Sequence, residues 1–309
     1  MELVVAAMAI EGRKREGKHP IKIEVDVHPR NAVRGGGGAG SGTVTRLRPD
    51  RIRGVAIYVP GVLGNRANIA KELAEDNWLV VTVWPPLVDR VLEVFRASPE
   101  IDPFERGVRV AAEVDRSIVE AATLAQMQVE VVRGLYPSLR GRPLLMVCES
   151  MGAIAGVGMA ATDSVACDAC LLVAGGGGFL DVACESSARR LLFGDLPLDD
   201  PRFREGFDSV VAFDPIRAGP RLRGAPLVLI TADEDTIVPA ALQDSLWRAL
   251  GEPPRYRWSG GHLELFLRAD VSVMPVVREI VRQMPTRAQQ PSEQDAGVPA
   301  GVAPEGSGP

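Results

Sequence analysis

A serine becomes a nucleophile at neutral pH only when a histidine takes its proton and a carboxylate orients that histidine, so the places of these three residue types come first. Ser150 stands in Cys148-Glu149-Ser150-Met151-Gly152, between the apolar run Leu144-Leu145-Met146-Val147 and the small-residue stretch Ala153-Ile154-Ala155-Gly156. Strand, tight turn and small neighbours are what a nucleophile elbow needs, because its serine takes a strained backbone conformation with little room on either side. The usual pattern is Gly-x-Ser-x-Gly, and here Cys148 stands at the first glycine. Taken alone, the five residues fit equally well a serine that caps a buried helix.

Three histidines are present: His19, His28 and His262. His19 and His28 flank the alternating stretch Ile21-Lys22-Ile23-Glu24-Val25-Asp26-Val27 and read as solvated surface. His262 follows Ser150 in the chain and closes Ser259-Gly260-Gly261-His262, which reads as a loop after the strand Arg255-Tyr256-Arg257-Trp258. It is the histidine placed to act as base. Between the two lies Thr231-Ala232-Asp233-Glu234-Asp235-Thr236-Ile237-Val238-Pro239, a carboxylate cluster following the apolar run Leu227-Val228-Leu229-Ile230. Strand ends are where parallel sheets place their sites, and Asp235 is taken as the acid with Asp233 as its alternative. Backbone N–H groups of Met151, after the nucleophile, and of Val62, in Tyr58-Val59-Pro60-Gly61-Val62-Leu63-Gly64, are the candidate oxyanion donors.

The elements that must hold these groups read as alternating strands and helices. Val55 to Val59, Leu79 to Val83, Leu144 to Val147, Leu171 to Val173 and Leu227 to Ile230 are short, continuous and rich in branched residues, which suits strands buried on both faces. Val108, Ala111, Val114, Ile118, Ala121, Ala125, Val129 and Val132 recur every three or four residues, the period of a helix. A helix after Asn68 is expected to bury Ile69, Leu73 and Trp78, and a late one Val273, Val276, Val277, Ile280 and Met284. The fold class is therefore α/β, a mostly parallel central sheet with helices on both faces and an edge strand at Ile21 to Val27.

Of the 309 residues 46% are hydrophobic and 24% charged, the composition of a globular protein with a sizeable core. A formal net charge of −5 argues against nucleic acid as a partner. No apolar stretch reaches the roughly 18 residues a membrane span needs. The opening Met1 to Ile10 has its basic residues after the apolar run, the wrong polarity for a secretion signal, so a cytoplasmic protein is expected. Four cysteines, at 148, 167, 170 and 184, fit a reduced compartment, and Cys167-Asp168-Ala169-Cys170 lacks the second pair or nearby histidine of a metal site. No cofactor or metal is expected. Gly35 to Gly42 reads as a surface connection without the ending of a phosphate loop, and residues 286–309 as a disordered tail.

The order Ser150, Asp235, His262, with Pro60-Gly61-Val62 upstream, resembles the α/β-hydrolase family over roughly residues 55–284. Asp233 to Pro239 is similar to that family's acid loop, in which an aspartate precedes a Val-Pro pair, and this favours Asp235. Gly261-His262 resembles its histidine loop, and Phe213-Asp214-Pro215 resembles the esterase and dienelactone-hydrolase-like branches. Cys148 and Pro60, the latter where many members have histidine, depart from the pattern. The resemblance implies one domain over residues 1–285 with a cap insertion at about 179–213. Its Leu191, Leu192, Phe193, Phe203 and Phe207 would line an acyl pocket, and its Arg189, Arg190, Arg202 and Arg204 would either hold an anion or be plain surface. It further implies a carboxylesterase-like serine hydrolase cleaving a small-molecule carboxylic ester or thioester through an acyl-enzyme. Two readings stay open beside it: an acyltransferase with the same triad, and a non-catalytic ligand-binding homologue. The oligomeric state is left open.

Overall fold

A computed structural model of the chain describes residues 22–26, 32–34, 45–47, 49–62, 68–97 and 100–284. His19, His28, the Gly35 to Gly42 segment and the 286–309 tail lie outside the described residues. The strands are β1 (Lys22–Asp26), β2 (Ala32–Arg34), β3 (Thr45–Leu47), β4 (Gly54–Val59), β5 (Trp78–Trp84), β6 (Leu144–Glu149), β7 (Ala169–Val173), β8 (Leu227–Ala232) and β9 (Arg255–Trp258). The helices are α1 (Asn68–Glu75), α2 (Leu87–Ala97), α3 (Pro103–Leu135), α4 (Met151–Ala160), α5 (Phe179–Glu185), α6 (Arg189–Phe193), α7 (Pro201–Val210), α8 (Pro215–Ala218), α9 (Ala240–Ala249), α10 (His262–Leu267), α11 (Ala269–Ser272) and α12 (Met274–Gln283).

Seven strands form one sheet in the order β1-β5-β4-β6-β7-β8-β9. Six of them run parallel, and β1 joins antiparallel at the edge, Lys22 opposite Trp84 and Asp26 opposite Val80. The apolar runs are continuous because both faces are covered. Along β4, Val55, Ile57 and Val59 enter one core with α2 to α5 and α9, while Ala56 and Tyr58 enter a second with α1 and α10 to α12. Along β6 the same alternation sends Leu144, Met146 and Cys148 to the first face and Leu145 and Val147 to the second. Trp78, expected on the helix after Asn68, instead opens β5 and is fully buried. The chain turns at Asn77, with a φ of 69°, two residues after the helix ends at Glu75.

Chain order runs from β4 outward to β5 and then back across to β6, so the direction of winding reverses between β4 and β6. At such a switch point the connections leave in opposite directions and open a crevice beyond the strand ends. Val59 pairs with Cys148 there, which puts Pro60-Gly61-Val62 beside Ser150.

The segment expected as a cap contains α5, α6 and α7. Phe203 and Phe207 do not face a pocket. They are buried beneath α7 on α3, with Phe203 5.5 Å from Phe95 and Phe207 stacked 6.2 Å from Phe179. Asp214, from the Phe213-Asp214-Pro215 stretch, holds helices together: its carboxylate accepts the N–H of Ile216 at 3.0 Å and that of Phe179 at 2.7 Å, tying α8 to the start of α5.

Candidate functional site

Ser150 connects β6 to α4 with φ 53° and ψ −122°, a conformation that costs a non-glycine residue about 1–3 kcal/mol and holds only when its surroundings fix it. Its N–H donates to the Val173 carbonyl at 2.8 Å, which pins the turn to β7. On α4, a Cβ at Gly152 would run into the carbonyl oxygens of Val59 and Pro60, so only glycine lets the helix approach β4 this closely. Cys148 fits because Gly156, one turn into α4, leaves room for it: a Cβ at Gly156 would overlap its Sγ and lie 2.9 Å from its Cβ. The missing elbow glycine is compensated by a glycine on the facing helix.

That compensation gives a measurable sign change. Gly156→Ala normally gains about 1 kcal/mol of helix propensity, but in the wild type overpacking is expected to make it destabilising by about 1–3 kcal/mol. In a Cys148→Gly background the same substitution is expected to be neutral or stabilising. Urea denaturation of the four proteins of the cycle reads the coupling; equal effects in both backgrounds would remove Cys148 as the reason for Gly156.

Asp235 follows β8, and its side chain is fully buried. Its Oδ1 accepts the N–H of Ile237 at 2.9 Å and of Val238 at 2.8 Å, an Asx-type turn that fixes the carboxylate by its own loop. Its Oδ2 faces His262 Nδ1 at 2.6 Å. A carboxylate can only accept, so the proton between them sits on Nδ1 and the Nε2 lone pair is left free to take another. Asp233 is turned the other way, in an exposed ion pair with Arg257 at 2.7 Å.

His262 is the first residue of α10 and not part of a loop as its glycine neighbours suggested. Leu265, buried one turn on, anchors the helix to the sheet, and Phe266 meets the imidazole edge-on at 5.0 Å. Gln243 was not singled out from the sequence. Fully buried on α9, it donates from Nε2 to Asp235 Oδ2 at 3.2 Å and to the Val238 carbonyl at 2.7 Å, and it accepts the Ala232 N–H at 3.0 Å. Its only sequence signal was a polar residue between Leu242 and Leu246 on an inward helix face.

The Asp235 to His262 contact is closed, whereas the Ser150 hydroxyl makes no hydrogen bond to a described residue. Such contacts are often long before substrate arrives. Nevertheless Ile237 and Val238, from the acid loop, line the same cavity as Ser150. The N–H groups of Val62, in a turn, and of Met151, at the first position of a helix, have no acceptor among the described residues.

Two cavities meet at Val62 and Met151. One, about 20 Å³, is lined by Ser150, Val182, Ala183, Leu192, Phe193, Ile237 and Val238. The other, about 320 Å³, runs along Pro60, Gly61, Trp84, Pro85, Pro86 and Leu87.

No family model matches the sequence, and no curated protein does. Among solved structures, the chain superimposes on the acylaminoacyl peptidase of Pyrococcus horikoshii with a TM-score of 0.51 at 16% identity, over 78% of this chain and 38% of that one. An acylaminoacyl peptidase in complex with Z-Gly-Gly-Phe-chloromethyl ketone gives 0.52 at 17%, over 80% and 40%. The chain has the α/β-hydrolase fold. It spans about two fifths of the length of these peptidases. An esterase of Pyrococcus furiosus is also similar, with a TM-score of 0.48 at 12% identity over 75% of this chain and 82% of that one.

Within this α/β-hydrolase fold the remaining sequence expectations divide. Leu192 and Phe193 line the smaller cavity, whereas Leu191 points to solvent. The four arginines of the 179–213 segment pair with acids, Arg189 with Asp199, Arg190 with Asp195, Arg202 with Asp102 and Arg204 with Asp181, and none lines either cavity. Gly175 to Gly177, following the end of β7, are all buried, and a Cβ at Gly175 would lie 2.6 Å from that of Ala153. Burial pushes the Cys167 thiol up to about 12, and Cys170 is raised through its contact with Cys148 and by burial. Among the described residues no helix is long and apolar enough to cross a membrane.

Proposed function

We propose that the protein is a serine hydrolase that cleaves a short-chain carboxylic ester or thioester through an acyl-enzyme. The observation that carries this reading is the buried Asp235 to His262 pair, with the strained Ser150 at the switch point of the sheet. Ser150 Oγ attacks the acyl carbon as His262 Nε2 takes its proton. The Asp235 carboxylate stabilises the imidazolium that forms, and the Met151 and Val62 N–H groups receive the oxyanion. His262 then returns the proton to the leaving oxygen or sulfur, and water repeats the sequence to free Ser150.

The acyl group stays bonded to Ser150, which lines only the smaller cavity, so that cavity takes the acyl chain and the larger one the leaving group. The acyl cavity is small and is lined by Leu192 and Phe193, which suits a short acyl chain over a long one. A series of p-nitrophenyl esters is therefore expected to give its highest kcat/KM at two to four carbons, with Phe193→Ala moving the optimum to longer chains. Thioester and acyl-amino-acid amide arms in the same panel test the leaving group. A wild type that hydrolyses none of these and is not labelled by a fluorophosphonate probe would sink the reading.

A further inference from the structure

Glu149, the residue before Ser150, ends β6 on the side of the sheet that carries Leu145 and Val147, and it is buried. Its carboxylate reaches across to the β4 side, where Oε1 accepts the Gly61 N–H at 3.1 Å. Gly61 itself packs on the nucleophile turn: a Cβ there would lie 2.8 Å from that of Ser150. The loop that carries the Val62 N–H is thus held at two points, by contact with Ser150 and by a hydrogen bond to its chain neighbour.

We propose that Glu149 is a positioning residue that fixes the oxyanion loop, its carboxylate holding the Gly61 N–H so that the following peptide presents the Val62 N–H to the reacting carbonyl. This rests on the serine-hydrolase reading for its catalytic consequence, though not for the hydrogen bond. An ionised side chain is costly in this position. Burial raises its pKa above the ordinary carboxylate range, outweighing the neighbouring Tyr58 hydroxyl, the Gly61 N–H and His262. The Tyr58 hydroxyl lies near the carboxylate but makes no hydrogen bond of good geometry among the described residues, whereas the Gly61 N–H does, so Gly61 is the donor that the carboxylate serves. The bond also assigns the loop's two amides: the Gly61 N–H is taken, and the Val62 N–H is the one left for substrate.

Glu149→Ala and Glu149→Gln separate the bond from the charge, because a carboxamide oxygen still accepts an N–H. Removing one oxyanion donor outright costs about 10²–10³ in rate, so loosening the loop is expected to lower kcat about 10- to 100-fold in Glu149→Ala with KM nearly unchanged. Affinity for a boronic acid that forms an adduct with Ser150 should fall by a similar factor. Glu149→Gln should keep kcat within about threefold of wild type. Circular dichroism of both variants controls for folding. Wild-type kcat in Glu149→Ala, or a Glu149→Gln variant as impaired as Glu149→Ala, would overturn the proposal, the second result pointing to charge acting on His262. Hydrogen exchange at the Gly61 amide reads the bond without activity: slow in wild type and Glu149→Gln, faster in Glu149→Ala. Exchange equal in all three would overturn it even if no ester were hydrolysed.

Discussion

Ser150→Ala is expected to lower kcat/KM on the preferred ester by about 10⁴- to 10⁶-fold and to abolish fluorophosphonate labelling, leaving a residual rate from the backbone donors and binding. The substitution isolates chemistry from structure unusually well. Alanine keeps the Cβ, which takes the same φ of 53° at the same steric cost, and the hydroxyl that is lost has no hydrogen-bond partner among the described residues. The melting temperature should therefore stay within about 2 °C of wild type, as for a substitution worth less than about 0.5 kcal/mol. His262→Ala should be as damaging, and the double variant scarcely worse than either, because the two act as a unit. Ester hydrolysis that survives in folded Ser150→Ala protein would transfer the nucleophile role elsewhere.

The second large effect is expected at Asp235→Asn, about 10³- to 10⁴-fold in kcat, and the hydrogen bonds give the reason. Two N–H donors, from Ile237 and Val238, converge on Oδ1, so the asparagine must place its carbonyl oxygen there. Its NH₂ group then faces His262 Nδ1 and the Gln243 amide. The imidazole answers by presenting a lone pair at Nδ1, which moves its proton to Nε2 and leaves nothing to accept the proton of Ser150. The donor of Gln243 now meets another donor, so some stability is lost as well, about 1–3 kcal/mol for an unsatisfied buried group. Asp233→Asn provides the contrast. Its carboxylate is in an exposed pair with Arg257, and activity should remain within about threefold of wild type. Steady-state kinetics of the two variants decide between the aspartates, and a larger loss at Asp233 would reverse their assignment.

The path from sequence to site was shortest where one physical pattern had one solution. Apolar runs of three to five residues, broken by helical periodicity, admit a parallel sheet covered on both faces, and the five runs fall within β4 to β8. Arg255 to Trp258 falls on β9 residue for residue, although its burial is partial and its alternation weak. Trp78 shows the limit of periodicity. A large apolar residue at the end of a helical pattern can equally begin the next strand, and the left-handed turn at Asn77 decides the matter. Phe203 and Phe207 show another limit, since an apolar residue near a site serves the core or the pocket according to which helix lies opposite, here α3.

By itself the sequence determined the α/β alternation, the chain order of Ser150, Asp235 and His262, and the need for small residues after Ser150, because these follow from local chemistry and spacing. Between Asp235, which the resemblance favoured, and Asp233, tertiary structure shows which meets the histidine, since the two differ in direction and not in type. It also decided that Gln243 braces Asp235, that Cys148 is tolerated because Gly156 faces it, and that Glu149 meets the Gly61 N–H. Each of these is a contact between segments distant in the chain or a direction of a side chain, and neither is fixed until the strands have been set side by side.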